Sequence, residues 1–233
     1  MHDVEIPQEH LDRVIRRRST LHIFEKFDPG STAMVVVDMQ NAFVAPGALA
    51  EVPKARDITP NINRIAKALR GAGGTVVWIR GHVESNRGPW AHYLANFERD
   101  PDSWSRALEP GSEGWQFWSE LDVQDEDLVV GKDRYSAFWG HGNLAQKLRD
   151  RKVDTVIVTG TLTNSCCEST ARDAMQNDFA TIMVMDANAC RSDEEHLATM
   201  CTFINSFGDV LSTEQIVRRI EDVQGSAARS AAE

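Results

Sequence analysis

Five short apolar runs constrain this chain more than any other feature of it. They lie at 33–37 (AMVVV), 75–79 (TVVWI), 128–130 (LVV), 155–159 (TVIVT) and 181–185 (TIMVM). Each is near-continuously apolar, not alternating, which is how a strand covered on both faces reads. Helical patterns lie between them. In 60–70 (PNINRIAKALR), Ile62, Ile65, Ala66 and Leu69 fall at helical spacing, with Gly71 just past the end. Further helical patterns cover 143–149, 166–176, 194–205 and 213–220. Strands alternating with helices imply βαβ units, right-handed crossovers and a parallel sheet. The expected fold is α/β: a three-layer α/β/α, Rossmann-like arrangement with a mostly parallel sheet.

Three regions flank or interrupt this rhythm. Residues 1–28 form an N-terminal extension with a basic helix over 9–18, whose charges are expected on a solvated or subunit-contacting face. Residues 29–222 form the main domain, and 223–233 (ending GSAARSAAE) read as a disordered tail. The segment 81–120 is a long insertion rich in Trp, Gly, Pro and charge, and long segments at strand ends usually carry function. There is no internal repeat.

The 233 residues carry a net charge of −10. That argues against nucleic acid as a partner, because phosphate binding needs a basic patch. No apolar run approaches the roughly 18 residues of a membrane span, and the N-terminus lacks a signal-peptide core. The expectation is a cytoplasmic protein without membrane contact. Four cysteines, Cys166, Cys167, Cys190 and Cys201, are too few for a disulfide scaffold and are expected reduced.

Ligands of open parallel sheets bind outside the carboxyl ends of the strands. Asp38 follows the first run, Lys132 the third, and Cys166 follows the GTLTNS segment after the fourth. Singly, each has an ordinary explanation as a turn residue, a solvated lysine or a small packed thiol. Together they place an acid, a base and a thiol at one sheet edge. A carboxylate can take the thiol proton, and an ammonium or a helix N-terminus favours the thiolate. Backbone N–H groups can hold an oxyanion. The sum is acyl transfer through a thioester, followed by hydrolysis.

Three stretches, VVVDMQNAF (35–43), GKDRYSAF (131–138) and GTLTNSCCESTARDA (160–174), resemble the isochorismatase-like cysteine hydrolases in the right order. The resemblance covers roughly residues 30–215. It implies Asp38 as general base, Lys132 as electrostatic partner and Cys166 as nucleophile. It implies oxyanion donors at the N–H groups of Leu162 and Cys166, a cis Thr161–Leu162 peptide, no cofactor, and a homodimer or homotetramer. Where the family usually has aliphatic residues beside the nucleophile, this chain has Ser165 and Cys167. The N-terminal helix and the second and third stretches look most like the ureidoacrylate hydrolase branch. That implies a small ureide or amide substrate (ureidoacrylate, biuret, triuret or an N-carbamoyl compound) and water. A nicotinamidase-like or other small-amide amidase is the alternative, and a thiol redox sensor or an inactive scaffold are the readings from other classes.

Nicotinamidases carry Asp and His metal ligands after the first motif. This chain has no histidine between Asp38 and Ile79, and His82 and His92 have no ligand-like third partner near them in sequence. No metal is expected. Position alone nominates substrate-binding residues: Gln40, Asn41 and Phe43 after the first strand, Arg80, Glu84 and Arg87 after the second, and Tyr135 and Phe138 after Lys132. Arg80 or Arg87 would suit a substrate carboxylate. Ser165 and Glu168 read as a capping box that would put Cys166 at the first helical position. Cys167 shares a stripe with Ala171, Ala174 and Met175, which marks it as packing.

Overall fold

The computed structural model describes residues 1–82, 92 and 100–230. All five apolar runs are strands: β1 (Thr32–Val37), β2 (Thr75–Gly81), β3 (Leu128–Lys132), β4 (Thr155–Thr161) and β5 (Ala180–Ala189). A sixth, β6 (Asp209–Leu211), escaped the sequence reading because three residues are too few to show a period. The sheet order is β3-β2-β1-β4-β5-β6, with every pairing parallel.

Helices cover both faces: α1 (Gln8–Arg18), α2 (Asn41–Val44), α3 (Lys54–Gly71), α4 (Pro101–Ala107), α5 (Leu144–Asp150), α6 (Glu168–Gln176), α7 (Asp193–Ser206) and α8 (Thr213–Ser230). On one face Met34, Val36 and Trp78 of the strands meet Ile58, Ile62, Ile65 and Leu69 of α3 and Ile216 and Ile220 of α8. On the other, Val35, Val37, Val77 and Val158 meet Val14 of α1, Leu144 and Leu148 of α5, Ala171 and Ala174 of α6, and Phe203 of α7. Successive strand residues thus feed opposite cores, and this two-sided burial is why the runs read as continuously apolar.

Two boundaries and one surface differ from expectation. Helix α3 starts at Lys54 and keeps Pro60 inside it. The seventh position lies past the four unpaired N–H groups of a helix start, so Pro60 removes the bond that residue 60 would make to the Arg56 carbonyl. Helix α8 runs to Ser230, so the segment from 223 expected to be disordered is helical that far. No proline stops it, and Ala227 and Ala228 favour helix past Gly225. The basic residues of α1 are not all solvated: Arg17 donates to the Asn205 carbonyl at 2.5 Å, and Arg18 to the carbonyls of Ile204 and, at 3.1 Å, Gly208. They cap the carboxyl end of α7, where cations are favoured. Among the described residues no helix is long and apolar enough to cross a membrane.

One polar cluster fastens β2 to the loop before β3. Asp127, 1% exposed, accepts from Arg70 Nε at 2.8 Å and Nη2 at 2.7 Å, and from Trp78 Nε1 at 2.7 Å. Removing one partner of a buried ion pair strands the other charge. Asp127→Ala is therefore expected to lower unfolding stability by about 3–5 kcal/mol in urea titration with the m-value unchanged. A loss below about 1 kcal/mol would show that Arg70 finds adequate partners without it.

Candidate active site

Asp38 leaves β1 in the left-handed region, at φ 51, an uncommon conformation that Asp tolerates better than most residues. The carboxylate sits at the strand end and is 1% exposed. Lys132, the last residue of β3, is 4% exposed. Its strand is not adjacent to β1, since β2 lies between them. The side chain nevertheless spans the gap, and Nζ lies 2.8 Å from Asp38 Oδ2. Gly81, at the end of β2, keeps the crossing open: a Cβ there would come within 3.2 Å of Asp38 Oδ1. Lys132 Nζ also donates to the Arg134 carbonyl at 2.8 Å and to Cys166 Sγ at 3.5 Å. Both Asp38 oxygens are buried and, apart from this ion pair, accept no aligned hydrogen bond among the described residues. The carboxylate is thus held by charge and keeps its lone pairs available.

Cys166 lies in a π-helical turn, Thr163–Cys167, between β4 and α6. The Leu162 carbonyl accepts the N–H of Ser165 and of Cys167, each at 3.1 Å. The Thr161–Leu162 peptide is cis. The expected capping box does not form. Ser165 is inside the π-turn, the turn's first flanking residue is Leu162, and no side chain caps it. Glu168 instead accepts from Arg172 at 2.5 Å and from Thr199 at 3.1 Å. Cys167 is fully buried against Ala171 and Ala174, with Sγ 3.8 Å from the Thr159 carbonyl. That is the packing position expected for it.

The electrostatics weigh the thiol form against the influences expected to favour the thiolate. Burial, reinforced by the negative Asp38, pushes the Cys166 thiol up to about 12, against the opposing pull of Lys132. Burial alone would lower the Lys132 pKa, but Asp38 and then the Cys166 sulfur outweigh it and hold the ammonium above the usual lysine range. At neutral pH Lys132 is therefore an ammonium and Cys166 a thiol. The arrangement can shuttle one proton between sulfur and Asp38 when a substrate draws on the sulfur.

The nominated pocket residues divide. Gln40 is spent on structure: its amide donates to the carbonyls of Gly81 (3.2 Å) and Trp115 (3.1 Å) and accepts from Gly81 N–H at 2.8 Å. Asn41 donates to the Glu113 carbonyl at 3.0 Å. Phe43 packs on Trp104, with ring centres 6.0 Å apart, and Phe138 packs on Phe179 at 6.1 Å. Tyr135 lines an open cleft with Ser136, Trp139, Ser169 and Arg172. Arg80 lies against the rings of Trp115 and Phe117. Glu84 and Arg87 lie outside the described residues. Gly81 and the Arg134 carbonyl were missed. A glycine ending a strand is itself a signal of close approach, whereas a backbone carbonyl leaves none.

His82 does acquire partners, because the fold brings Asp133 and His141 beside it. Their ligand atoms lie within 4.8 Å of one another, and His2, Cys190 and His196 form a second such group, fully buried. The first is composed to take a divalent transition ion. In the second the two imidazole rings stack at 4.1 Å, and His2 Nε2 already accepts the Cys190 N–H at 3.0 Å.

A parallel α/β sheet with a buried Asp–Lys–Cys cluster at its carboxyl edge defines a class of hydrolase-like folds. The chain belongs to the isochorismatase family, whose domain matches residues 32–215. It is 32% identical over 207 residues to the ureidoacrylate amidohydrolase RutB of Methylobacterium radiotolerans, covering 80% of each chain. A cysteine hydrolase structure from Pseudomonas syringae pv. phaseolicola superposes with a TM-score of 0.77 at 30% identity, covering 84% of this chain and 95% of that one. N-carbamoylsarcosine amidase of Thermoplasma acidophilum superposes with a TM-score of 0.65 at 26% identity, covering 78% and 96%. The family read from the three motifs is thus the family found.

Because Asp38 helps to raise the Cys166 pKa, Asp38→Asn is expected to lower it. The pH dependence of iodoacetamide inactivation measures this. Thiolate, and hence the alkylation rate, rises with pH up to the pKa, so the curve for the variant should move to lower pH. A curve unmoved, or moved upward, would remove Asp38 from the thiol's electrostatics.

Proposed function

We propose that this protein is a cysteine amidohydrolase that cleaves a C–N bond of a small ureido or carbamoyl compound through a thioester. The single observation that carries the reading is the buried contact set of Lys132, with its ammonium 2.8 Å from Asp38 and 3.5 Å from Cys166 Sγ. Relatives with ureidoacrylate amidohydrolase and N-carbamoylsarcosine amidase activity support the substrate class.

The substrate carbonyl carbon meets Cys166 Sγ as the thiol proton passes to Asp38. An S–C bond forms, and the carbonyl oxygen becomes an oxyanion, for which the N–H groups of Leu162 and Cys166 are the donors in this reading. Collapse breaks the C–N bond, and the Asp38 proton goes to the departing nitrogen, which leaves as ammonia or an amine. Water then attacks the thioester with Asp38 as base, releasing the acid and restoring the thiol. Lys132 keeps its proton throughout. Its charge offsets the negative charge that moves between Asp38, sulfur and oxyanion. A protonated resting thiol suits this cycle, because the proton needed by the leaving group is carried in with the nucleophile.

An ammonia-release screen over ureidoacrylate, biuret, triuret, N-carbamoyl amino acids and nicotinamide tests the reading. Turnover of at least one ureide is expected, surviving dialysis against a chelator. Cys166→Ala should lose activity by a factor on the order of 10⁴ or more with the circular-dichroism spectrum and melting curve retained. Cys167→Val should keep turnover and change mainly stability, by roughly 1–2 kcal/mol. Full turnover by Cys166→Ala would sink the mechanism. Activity lost to the chelator and restored by zinc would favour the nicotinamidase-like alternative, with His82, Asp133 and His141 as the available ligands.

A further inference from the structure

We propose that His196 and His2 are positioning residues for the turn that carries Cys166, acting on it through Thr163. The proposal rests on the reading of Cys166 as nucleophile and goes beyond it, since the mechanism above uses neither histidine. Thr163 opens the π-turn and is fully buried. Its Oγ1 lies 2.9 Å from Nδ1 of His196, on α7, in a buried hydrogen bond. Fixing Thr163 therefore fixes the start of the turn that presents the Cys166 thiol 3.5 Å from the Lys132 ammonium. A nucleophile's geometry is only as exact as the groups that lock its own segment.

His196 is an expensive residue to bury. It is 0% exposed, and burial pushes its pKa down to about 3, so the ring is neutral. Its Nε2 is buried with no aligned hydrogen-bond partner among the described residues. A polar atom left so costs free energy that an apolar side chain of similar size would not. What the imidazole adds at this position is the bond to Thr163.

His2 fixes that imidazole in turn. The two rings stack at 4.1 Å, 15° from parallel. Both nitrogens of His2 are engaged: Nε2 accepts the Cys190 N–H at 3.0 Å, which leaves Nδ1 to donate to Asp193 Oδ1 at 2.6 Å. Asp193 is itself paired with Lys54 of α3. Cys190 directly follows β5, whose last residue, Ala189, is the register partner of Thr161 at the end of β4. His2 is thus tied to the strand beside the one that feeds the nucleophile's turn. A ring held at both edges covers one face of His196 and keeps it from swinging away from Thr163. His2 lies outside the residues 32–215 that match the family domain, so this support is supplied by the N-terminal extension.

The test uses Thr163→Val, which keeps the side chain's shape and deletes its hydroxyl, His196→Leu, which deletes the other half of the same bond, and His2→Ala, with melting curves confirming the fold. On a ureide that the wild type turns over, kcat is expected to fall about tenfold or more in each, with KM moved less than twofold. Thr163→Ser, which keeps the hydroxyl, should recover part of the loss. The second readout is the pH dependence of iodoacetamide alkylation at Cys166, followed by mass spectrometry of the labelled residue. Burial is the largest cause holding that thiol's pKa up, so a loosened turn that admits water should move the curve to lower pH. A kcat within twofold of wild type in Thr163→Val and His2→Ala, or an alkylation curve unmoved in both, would overturn the proposal whatever the melting temperatures do. His2→Ala, outside the matched domain, decides the question where Thr163→Val does not fold. If the wild-type protein turns over no ureide, the hydrolase reading fails while the alkylation curves still decide the two histidines.

Discussion

The ion pair between Lys132 and Asp38 is the constraint on which the rest of the site depends. Two charges, each almost wholly removed from water, cost several kcal/mol to bury unless the pairing is close and held from outside. The 2.8 Å contact supplies closeness, and the Arg134 carbonyl supplies a second acceptor for the ammonium. Everything nearby follows from keeping these charges at this separation. The strand between them must end in a residue with no side chain, and Gly81 meets that need. The loop after β3 must turn back over the ammonium, and Thr170 on α6 pins it by accepting the Ala137 N–H at 3.0 Å. The thiol must then enter a pocket already dominated by opposite charges, and it does so as a neutral group.

That last point reverses a common intuition about cysteine nucleophiles. A helix N-terminus and an ammonium both favour thiolate, and the sequence suggested both at Cys166. In the folded protein the sulfur sits in a π-turn, not at the first turn of an α-helix, and desolvation outweighs the ammonium. The carboxylate proposed as the base is also one reason the thiol keeps its proton. A single group therefore sets both the resting state and the direction in which the proton moves.

The architecture was legible because burial on two faces forces continuous apolar runs, and five of the six strands announce themselves that way. The acid, base and thiol were legible because parallel strands end at a common edge. What escaped shares a cause, which is that it depends on where remote backbone arrives. Gln40 and Asn41 look like substrate-binding amides until the segment around Trp115 is seen to consume them. His82 looks isolated until the loop after β3 delivers Asp133 and His141. The capping-box pattern at Ser165 and Glu168 is sound locally. It loses to the Leu162 carbonyl, which gathers two N–H groups into a wider turn, and to Arg172 and Thr199, which claim Glu168.

Residues 114–118 pair with the segment that follows β1. Ala42 N–H donates to Gly114, Asn41 N–H to Gln116 and Trp118 N–H to Met39, at 2.8 to 2.9 Å. The chain between β2 and β3 therefore returns to the segment beside Asp38 before it resumes the sheet. Such a segment is not a module. An exchange with the corresponding stretch of a relative would alter the setting of Asp38 along with the contents of the pocket. New specificities in this scaffold are thus more accessible through single side chains on the existing frame than through wholesale loop replacement.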